Sequence, residues 1–191
     1  AASDVYKRQQ DTLIVFTSDH GEMMGSHGKM AKNEVYEESL GVPLLFHFPK
    51  KIESQQTDML IGVPDFMPTI LGVLGLEEYI PGSLDGRDYS SYLLQEETHP
   101  HVKPRSSLYY GKFNELGIRT ERYTFAIDYN GRVFALFDNE NDPYQLNGLS
   151  LSDLPEADSQ MLRRELGRWL VQIGHPYARK KTFSELIIYP Q

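Results

Sequence analysis

The sequence contains no cysteine among its 191 residues. Disulfides, thiolate metal ligands and cysteine-derived nucleophiles are therefore excluded from this chain. No apolar run approaches the roughly 20 residues that a membrane-spanning helix needs, and the first ten residues, AASDVYKRQQ, lack the apolar stretch of a signal peptide. The sequence thus predicts no membrane span, and residues 1–10 are expected to be a non-native or disordered leader.

Positive charge is scarce: 19 lysines and arginines stand against 27 acidic residues, giving a formal net charge of -8. An acidic chain repels a nucleic-acid backbone, so nucleic acid is not an expected partner. A small anionic substrate stays compatible with the composition, because a local site can be positive on an acidic protein. The 40% of hydrophobic residues suffices for a globular core with an attached subdomain.

The segment DTLIVFTSD, residues 11–19, is a continuous apolar run rich in β-branched and aromatic residues. Such a run predicts a strand buried on both faces, as in the parallel sheet of an α/β protein. Asp19 and His20 follow at its carboxyl end, where ligands of open α/β sheets gather. The sequence therefore predicts chemistry at this strand end.

Helix and strand signals alternate after this point. The segment NEVYEESL (33–40) predicts a short helix, and VPLLFHFP (42–49) predicts a second buried strand. A longer helix is predicted over 63–76, with Asp65 near its start and Gly75 near its end. This alternation favours an α/β layered arrangement through residues 11–105.

The second half, residues 106–191, changes character after a Pro/Gly-rich connection over 80–105. Short aromatic-rich segments separated by turn signals predict an antiparallel sheet of about three or four strands. The helix predicted near the end carries one apolar face. This face comprises Met161, Leu162, Leu166, Trp169, Leu170 and Ile173. The second half is therefore expected to be a small α+β subdomain, with an antiparallel sheet and a C-terminal helix.

The segment 17–32, TSDHGEMMGSHGKMAK, gathers the candidate site residues. A carboxylate and an imidazole, as at Asp19 and His20, can bind a divalent cation, although such a pair also commonly caps a turn. His27 can protonate a leaving oxygen or bond to an anion, or it is an ordinary loop histidine. Lys32 can bind a tetrahedral anion, or it is a solvated lysine.

The combination is more specific than its parts. The order D-H-G (19–21), G-S-H-G (25–28), K-N-E-V-Y-E (32–37) and V-P-L (42–44) resembles the sulfatase family of the alkaline phosphatase superfamily. Family members carry D-[HN]-G, G-x-H-G, K-x-x-x-Y-E and V-P-L in this order. The resemblance continues through VPDFMPTILGVLGL, IPGSLDGRDYSSYL, GIRTERYTFAIDY and FALFDNENDPYQLNGLS. It therefore covers the chain from about residue 11 to the last helix.

The resemblance implies a sulfuric ester hydrolase with the C-terminal part of an alkaline-phosphatase-like α/β core. Asp19 and His20 would be ligands of a divalent cation, usually calcium, while Lys32 and His27 would be catalytic and would bind the sulfate ester. The family nucleophile is a formylglycine made from a C/S-x-P-x-R motif, which does not occur in these residues. The chain alone is therefore expected to be inactive, and a periplasmic or extracellular bacterial location is implied for the parent protein.

Two alternatives stay open at this stage. One is a phosphonate monoester or phosphodiester hydrolase of the same superfamily, and the other is a non-catalytic binding module with the same fold. Lys112, Phe113 and Arg119 are either substrate-facing or ordinary exposed strand positions.

The chain also departs from the family pattern in its second half. Thr124 stands where a lysine or arginine is usual, Phe137 where a tyrosine is usual, and Gln145 where a glutamate is common. These positions are expected to be structural and to leave the site residues unaffected. The oligomeric state is not predicted from the sequence.

Overall fold

The computed structural model describes residues 8–95, 103–111 and 115–179. Its contacts divide the chain into two compact units, one formed by Ala1–Asp19 with Val42–Pro104 and the other by His20–Gly41 with Arg105–Gln191. The sequence predicted a division at 105/106, with 20–41 in the first part. In the structure, residues 20–41 belong to the second unit, where Val35, Tyr36 and Leu40 pack on the sheet, and the predicted boundary stays a prediction.

The regular elements follow one another in this order. The helices are α1 (Glu37–Leu40), α2 (Val63–Leu74), α3 (Ser90–Leu93) and α4 (Glu156–Gln172). The strands are β1 (Ile14–Thr17), β2 (Leu44–His47), β3 (Ser106–Tyr110), β4 (Leu116–Thr120), β5 (Tyr123–Ile127) and β6 (Val133–Asp138). A 3₁₀ turn at Gln9–Asp11 gives the end of the predicted leader a regular structure, whereas residues 1–7 lie outside the described part. Within the described ranges, no helix is long and apolar enough to cross a membrane.

In the first unit, β1 and β2 pair in an antiparallel direction, from Ile14 opposite His47 to Thr17 opposite Leu44. The expectation of a parallel sheet is wrong for this pair, because a continuous apolar run indicates burial but does not encode strand direction. The expectation of burial on both faces also fails here. Phe16 is 60% exposed and its cross-strand partner Leu45 is 58% exposed, so one face of the pair is open.

Helix α2 begins at Val63, as predicted, and ends at Leu74, two residues before the predicted end, and Asp65 lies in its first turn rather than ahead of it. The Asp65 carboxylate accepts a hydrogen bond from the Gly62 N–H at 3.0 Å, which satisfies one of the free donors at the helix start. Its other oxygen accepts from the Arg87 N–H at 2.8 Å. At the other end, Gly75 adopts φ 77, the left-handed conformation that terminates helices.

The second unit is built on a four-stranded antiparallel sheet in the order β3-β4-β5-β6. The predicted antiparallel subdomain is confirmed in this respect. Between β5 and β6 the register shifts, so that Ala126 faces Ala135 but Ile127 faces Val133. Phe134 is the extra residue of this bulge, and 43% of it is exposed.

Helix α4 packs on one face of this sheet. Leu162, Leu166, Trp169 and Leu170 are buried with residues of β4, β5 and β6, as the helical pattern predicted. Met161 is the exception, because it is 40% exposed. It lies about 100° around the helix from Leu162, at the margin of the apolar arc.

The opposite face of the same sheet is covered by the segment that leads into α1. Val35, Tyr36 and Leu40 pack with a second cluster formed by Tyr109, Ala126, Ala135 and Phe137. This sheet therefore has two covered faces, and β5 is buried along its whole length. The packing fixes residues 35–40, and with them the loop that carries the predicted site.

Candidate active site

The loop of residues 20–41 is folded on itself by backbone hydrogen bonds. The Gly21 N–H donates to the Ser39 oxygen at 2.9 Å, and the Met23 N–H donates to the Ala31 oxygen at 2.8 Å. A Cβ atom at position 21 would lie 2.0 Å from the Glu38 carbonyl oxygen, so only glycine fits there. Met23 is completely buried beneath the loop. The D-H-G glycine thus closes the base of the site loop.

Backbone strain is concentrated in this loop. Met24, His27, Ala31 and Asn33 have φ values of 50, 54, 66 and 65°, in the left-handed region that non-glycine residues rarely adopt. Among the described residues, the other two non-glycine positions with positive φ are Gln95 and Gln145. Clustered outliers of this kind occur at functional sites, where the surrounding structure holds them in place.

His20 and Lys32 are brought together, with Lys32 Nζ 2.6 Å from His20 Nε2. The other ring nitrogen, Nδ1, lies 2.7 Å from the Gly21 carbonyl oxygen. Because a carbonyl oxygen only accepts, Nδ1 carries the proton and Nε2 presents its lone pair to the Lys32 ammonium. Both side chains are half-buried. Two of the four residues that the sequence singled out, His20 and Lys32, are thus in direct contact.

His27 is placed by residues on either side of Glu37. Its ring stacks on the Tyr36 ring with centroids 3.8 Å apart and planes inclined by 12°. Its Nε2 lies 3.7 Å from the Glu38 carboxylate, and the His27 side chain is 11% exposed. The contacts with Tyr36 and Glu38 therefore restrict the His27 ring, which is not a freely rotating loop side chain.

A charged neighbour from the second half of the chain also approaches His27. The backbone N–H of Asn147 is the largest influence that lowers the pKa of the Asp142 carboxyl, and the charge of His27 adds to it. The Asn147 N–H donates to Asp142 at 2.7 Å. Asp142, in the turn after β6, is therefore near enough to His27 for their charges to interact.

Phe137, Gln145 and Arg119 support this arrangement, a role that the sequence did not predict for them. Phe137 packs against Tyr36 with ring centroids 5.7 Å apart, and Gln145 accepts a hydrogen bond from the Glu37 N–H at 2.8 Å. Arg119 donates to the Glu37 carboxylate at 2.6 Å, so this guanidinium is engaged within the protein. Phe137 and Gln145 both depart from the family pattern, and these departures are the sequence feature that could have indicated their role. Lys112 and Phe113 lie outside the described residues.

The donor set suits a divalent cation in part. His20 has the arrangement typical of metal-binding histidines, with Nδ1–H bound to a carbonyl and Nε2 presenting a lone pair. Asp19, the last residue of the first unit, supplies an exposed carboxylate that accepts from the Ser18 hydroxyl at 3.4 Å. Calcium takes six to eight oxygen ligands. The described residues contain no group of three or more acidic or histidine side chains that could hold a metal.

Comparison with known proteins shows the class of protein to which this chain is similar. The chain is 36% identical to an endo-4-O-sulfatase of Bacteroides thetaiotaomicron, over 94% of this chain and 39% of that protein. A solved sulfatase structure, described in connection with the metabolism of multiple glycosaminoglycans by the same organism, has a TM-score of 0.87 and 35% identity, covering 98% of this chain and 43% of the other. The fold is that of a sulfatase with the alkaline-phosphatase-like architecture.

A family model described as "N-sulphoglucosamine sulphohydrolase, C-terminal" matches residues 25–172. The chain belongs to this family. It spans about two fifths of the length of the curated sulfatase that it matches. A phosphonate monoester hydrolase from Silicibacter pomeroyi is more distantly similar, at 26% identity and a TM-score of 0.65, covering 85% of this chain and 36% of the other.

Proposed function

We propose that this chain forms one side of the active site of a sulfuric ester hydrolase. The contact between Lys32 and His20 carries the proposal, because it places an anion-binding ammonium beside Nε2, the imidazole nitrogen that a cation would use in its place. A sulfate ester bound there would meet positive charge from Lys32 and from a cation on His20 and Asp19. Preorganised positive charge at a transferring tetrahedral group is commonly the largest catalytic contribution.

Each of the four predicted residues has a defined role in this proposal. Lys32 binds sulfate oxygens as a point charge. His27, held against Tyr36, lines the same pocket and donates a proton to the bound anion or its leaving oxygen. Asp19 and His20 would hold the divalent cation, calcium being the family's usual ion, and this cation supplies charge neutralisation. The remaining metal ligands and the formylglycine nucleophile belong to the rest of the parent enzyme.

The substrate class follows from the relatives. We infer a sulfated carbohydrate, since a relative that is 31% identical over 73% of this chain is an N-acetylglucosamine-6-O-sulfatase. A secreted or periplasmic bacterial enzyme is consistent with that substrate.

The test compares the complete gene product, produced with its formylglycine, with the 191-residue chain. The complete protein should release sulfate from sulfated glycosaminoglycan oligosaccharides, whereas the chain alone should hydrolyse neither these nor an aryl sulfate. Lys32→Ala in the complete protein should lower kcat/KM by roughly 100-fold or more. Turnover by the chain alone would contradict the assignment of the nucleophile to the rest of the protein.

Lys29→Ala provides the matched control within the same loop. Lys29 is 41% exposed at its side chain and pairs with Glu34 at 2.9 Å. Its substitution should therefore leave turnover within about twofold, because exposed ion pairs contribute little. An equal loss in both variants would show that loop charge in general, rather than Lys32, supports the reaction.

The similarity to the phosphonate monoester hydrolase favours one alternative substrate class. Phosphonate monoesters and sulfate esters should therefore be compared on the same preparation. A higher kcat/KM for the phosphonate would replace the sulfatase proposal. Absence of turnover with both, together with retained binding of sulfated oligosaccharide, would identify a binding module.

A further inference from the structure

We infer that Gln145 is a positioning residue that holds His27 in place through the turn at residues 36–38. Gln145 lies in the loop after β6 and touches neither His27 nor Lys32 in any described contact. It acts through Glu37, which lies 108 positions earlier in the sequence. The inference rests on the proposed function only in that His27 is taken to line the anion pocket.

Gln145 is buried and its amide is fully engaged. It is 2% exposed, and its Oε1 accepts from the Glu37 N–H at 2.8 Å. Its Nε2 donates to Thr124 Oγ1 at 3.0 Å and to Asn139 Oδ1 at 2.8 Å. Because a backbone N–H can only donate, the amide orientation is fixed with its oxygen toward Glu37.

The backbone N–H of Glu37 needs this partner. Glu37 is the first residue of α1, where N–H groups have no acceptor within the helix. The preceding residue, Tyr36, provides no side-chain cap. Gln145 therefore caps the start of α1 from a distant part of the chain. Its own backbone adopts the strained left-handed conformation, with φ 54.

The side chain of Glu37 is held independently. Arg119 on β4 donates from Nε to Glu37 Oε1 at 2.6 Å. Glu37 is thus attached at its backbone by Gln145 and at its carboxylate by Arg119. Arg119 lies on β4 and Gln145 in the loop after β6, so both attachments come from the sheet and its connections.

The residues flanking Glu37 are those that hold His27. Tyr36 stacks on the imidazole at 3.8 Å, and the Glu38 carboxylate lies 3.7 Å from its Nε2. A shift of Glu37 would move both contacts together. His27 itself has a strained φ of 54°, so its orientation depends on external support.

The experiment is NMR of the 191-residue chain with labelled histidine. Stacking on Tyr36 shifts the His27 ring protons upfield, and Tyr36→Leu defines the unstacked position. Gln145→Ala should move the His27 signals more than half of the way toward that position. The signals of His20, which is bound to Gly21 and Lys32, should stay in place, and a purely structural role would not produce this selectivity.

Two further variants make the result decisive. Gln145→Glu keeps an oxygen for the Glu37 N–H and should retain the stacked signals. Gln160→Ala removes a glutamine on α4 whose bonds within the described part of the chain go to its helix neighbours Glu156 and Arg164, and it should leave the His27 signals unchanged. Unchanged His27 signals in a folded Gln145→Ala variant would overturn the inference. Should that variant not fold, Gln145→Met, which fills a similar volume without an oxygen for the Glu37 N–H, takes its place, and unchanged His27 signals there would overturn the inference equally.

These outcomes are separate from those of the catalytic assay, because no substrate is present. A displaced His27 in a protein that later proves inactive on sulfate esters would leave the positioning role standing. An undisturbed His27 in an active enzyme would remove the positioning role alone.

Discussion

The Lys32 ammonium and the Nε2 lone pair of His20 are in direct contact at 2.6 Å. The same lone pair is the one that a cation would use, since Nδ1 is committed to the Gly21 carbonyl. Lys32 and a divalent cation therefore compete for one atom, and binding of the cation must move the lysine.

This competition predicts how Lys32→Ala changes cation affinity. Removal of one positive charge about 4 Å from a dication relieves a repulsion of about 2 kcal/mol in water, or less after salt screening. Calcium or manganese should therefore bind the variant roughly tenfold more tightly. Histidine ¹⁵N shifts of His20 report the binding, and His20→Ala should abolish it. Equal affinity in the variant and the unsubstituted chain would contradict the competition.

The close approach at Gly21 predicts a strong effect of a single methyl group. A Cβ atom there would overlap the Glu38 oxygen at 2.0 Å, so Gly21→Ala should destabilise the chain by about 3 kcal/mol. Hydrogen exchange at Gly21 and Met23 should accelerate, because their amides close the loop.

Gly28→Ala serves as the comparison for Gly21→Ala. Gly28 has a positive φ of 66° but open space around its Cβ position, so only conformational strain of about 1–2 kcal/mol is expected. Equal losses in the two variants would show that steric overlap at Gly21 is relieved without cost.

Asp138 predicts part of the acid sensitivity of the second unit. Hydrogen bonds from Arg122 are the main cause that lowers the pKa of this carboxyl, with further help from Asn141. Arg122 contributes Nε at 3.1 Å to both oxygens and NH2 at 2.6 Å to one of them. A pKa below the unfolded value means that the stabilisation is present above about pH 4 and is lost as the pH falls further.

Asp138→Asn should therefore lower the free energy of unfolding by about 1–2 kcal/mol at pH 7 and by much less near pH 2. Urea unfolding across this pH range measures the difference. Glu140→Gln is the control, since the Glu140 side chain is 70% exposed and lies 3.4 Å from Arg122, farther than Asp138 at 2.6 Å. A pH-independent loss in Asp138→Asn would show that packing, rather than charge, stabilises this position.

The single tryptophan reports a buried hydrogen-bonded chain between β3 and α4. Trp169 Nε1 donates to Ser106 Oγ at 2.8 Å, and Ser106 donates to the Glu165 carboxylate at 2.6 Å. Ser106→Ala would leave both partners buried without this contact and should cost about 2 kcal/mol. Tryptophan fluorescence during denaturation measures the loss, and Ser107→Ala on the same strand should change stability by less than about 0.5 kcal/mol.

The second unit was the more predictable part of the fold. Its strands alternate with turn signals, and α4 has an apolar face of helical period, so local patterns specify both. The direction of β1 relative to β2 was not predictable in the same way, because an apolar run carries no information on direction. Met161 was misplaced because a residue at the margin of an apolar arc is assigned to the core or the surface by tertiary packing alone.

The residue types of the candidate site could be predicted from the sequence, but the contacts that hold those residues in place could not. The motif order around Asp19, His27 and Lys32 is readable locally. The contact of Gln145 with Glu37 spans 108 positions, and no local period or spacing encodes such a contact. Gln145 was therefore interpreted as a structural departure, although its side chain reaches the turn that holds His27.

Residues 35–40 cover a sheet face whose strands come much later in the chain. During synthesis from the amino terminus, this segment emerges well before β5 and β6. At ribosomal rates of about 5–20 residues per second, Glu37 waits roughly 5 to 20 seconds for Gln145 to be made. The site loop is thus made several seconds before the strands on which it packs, and in that interval a chaperone would find its apolar side chains exposed.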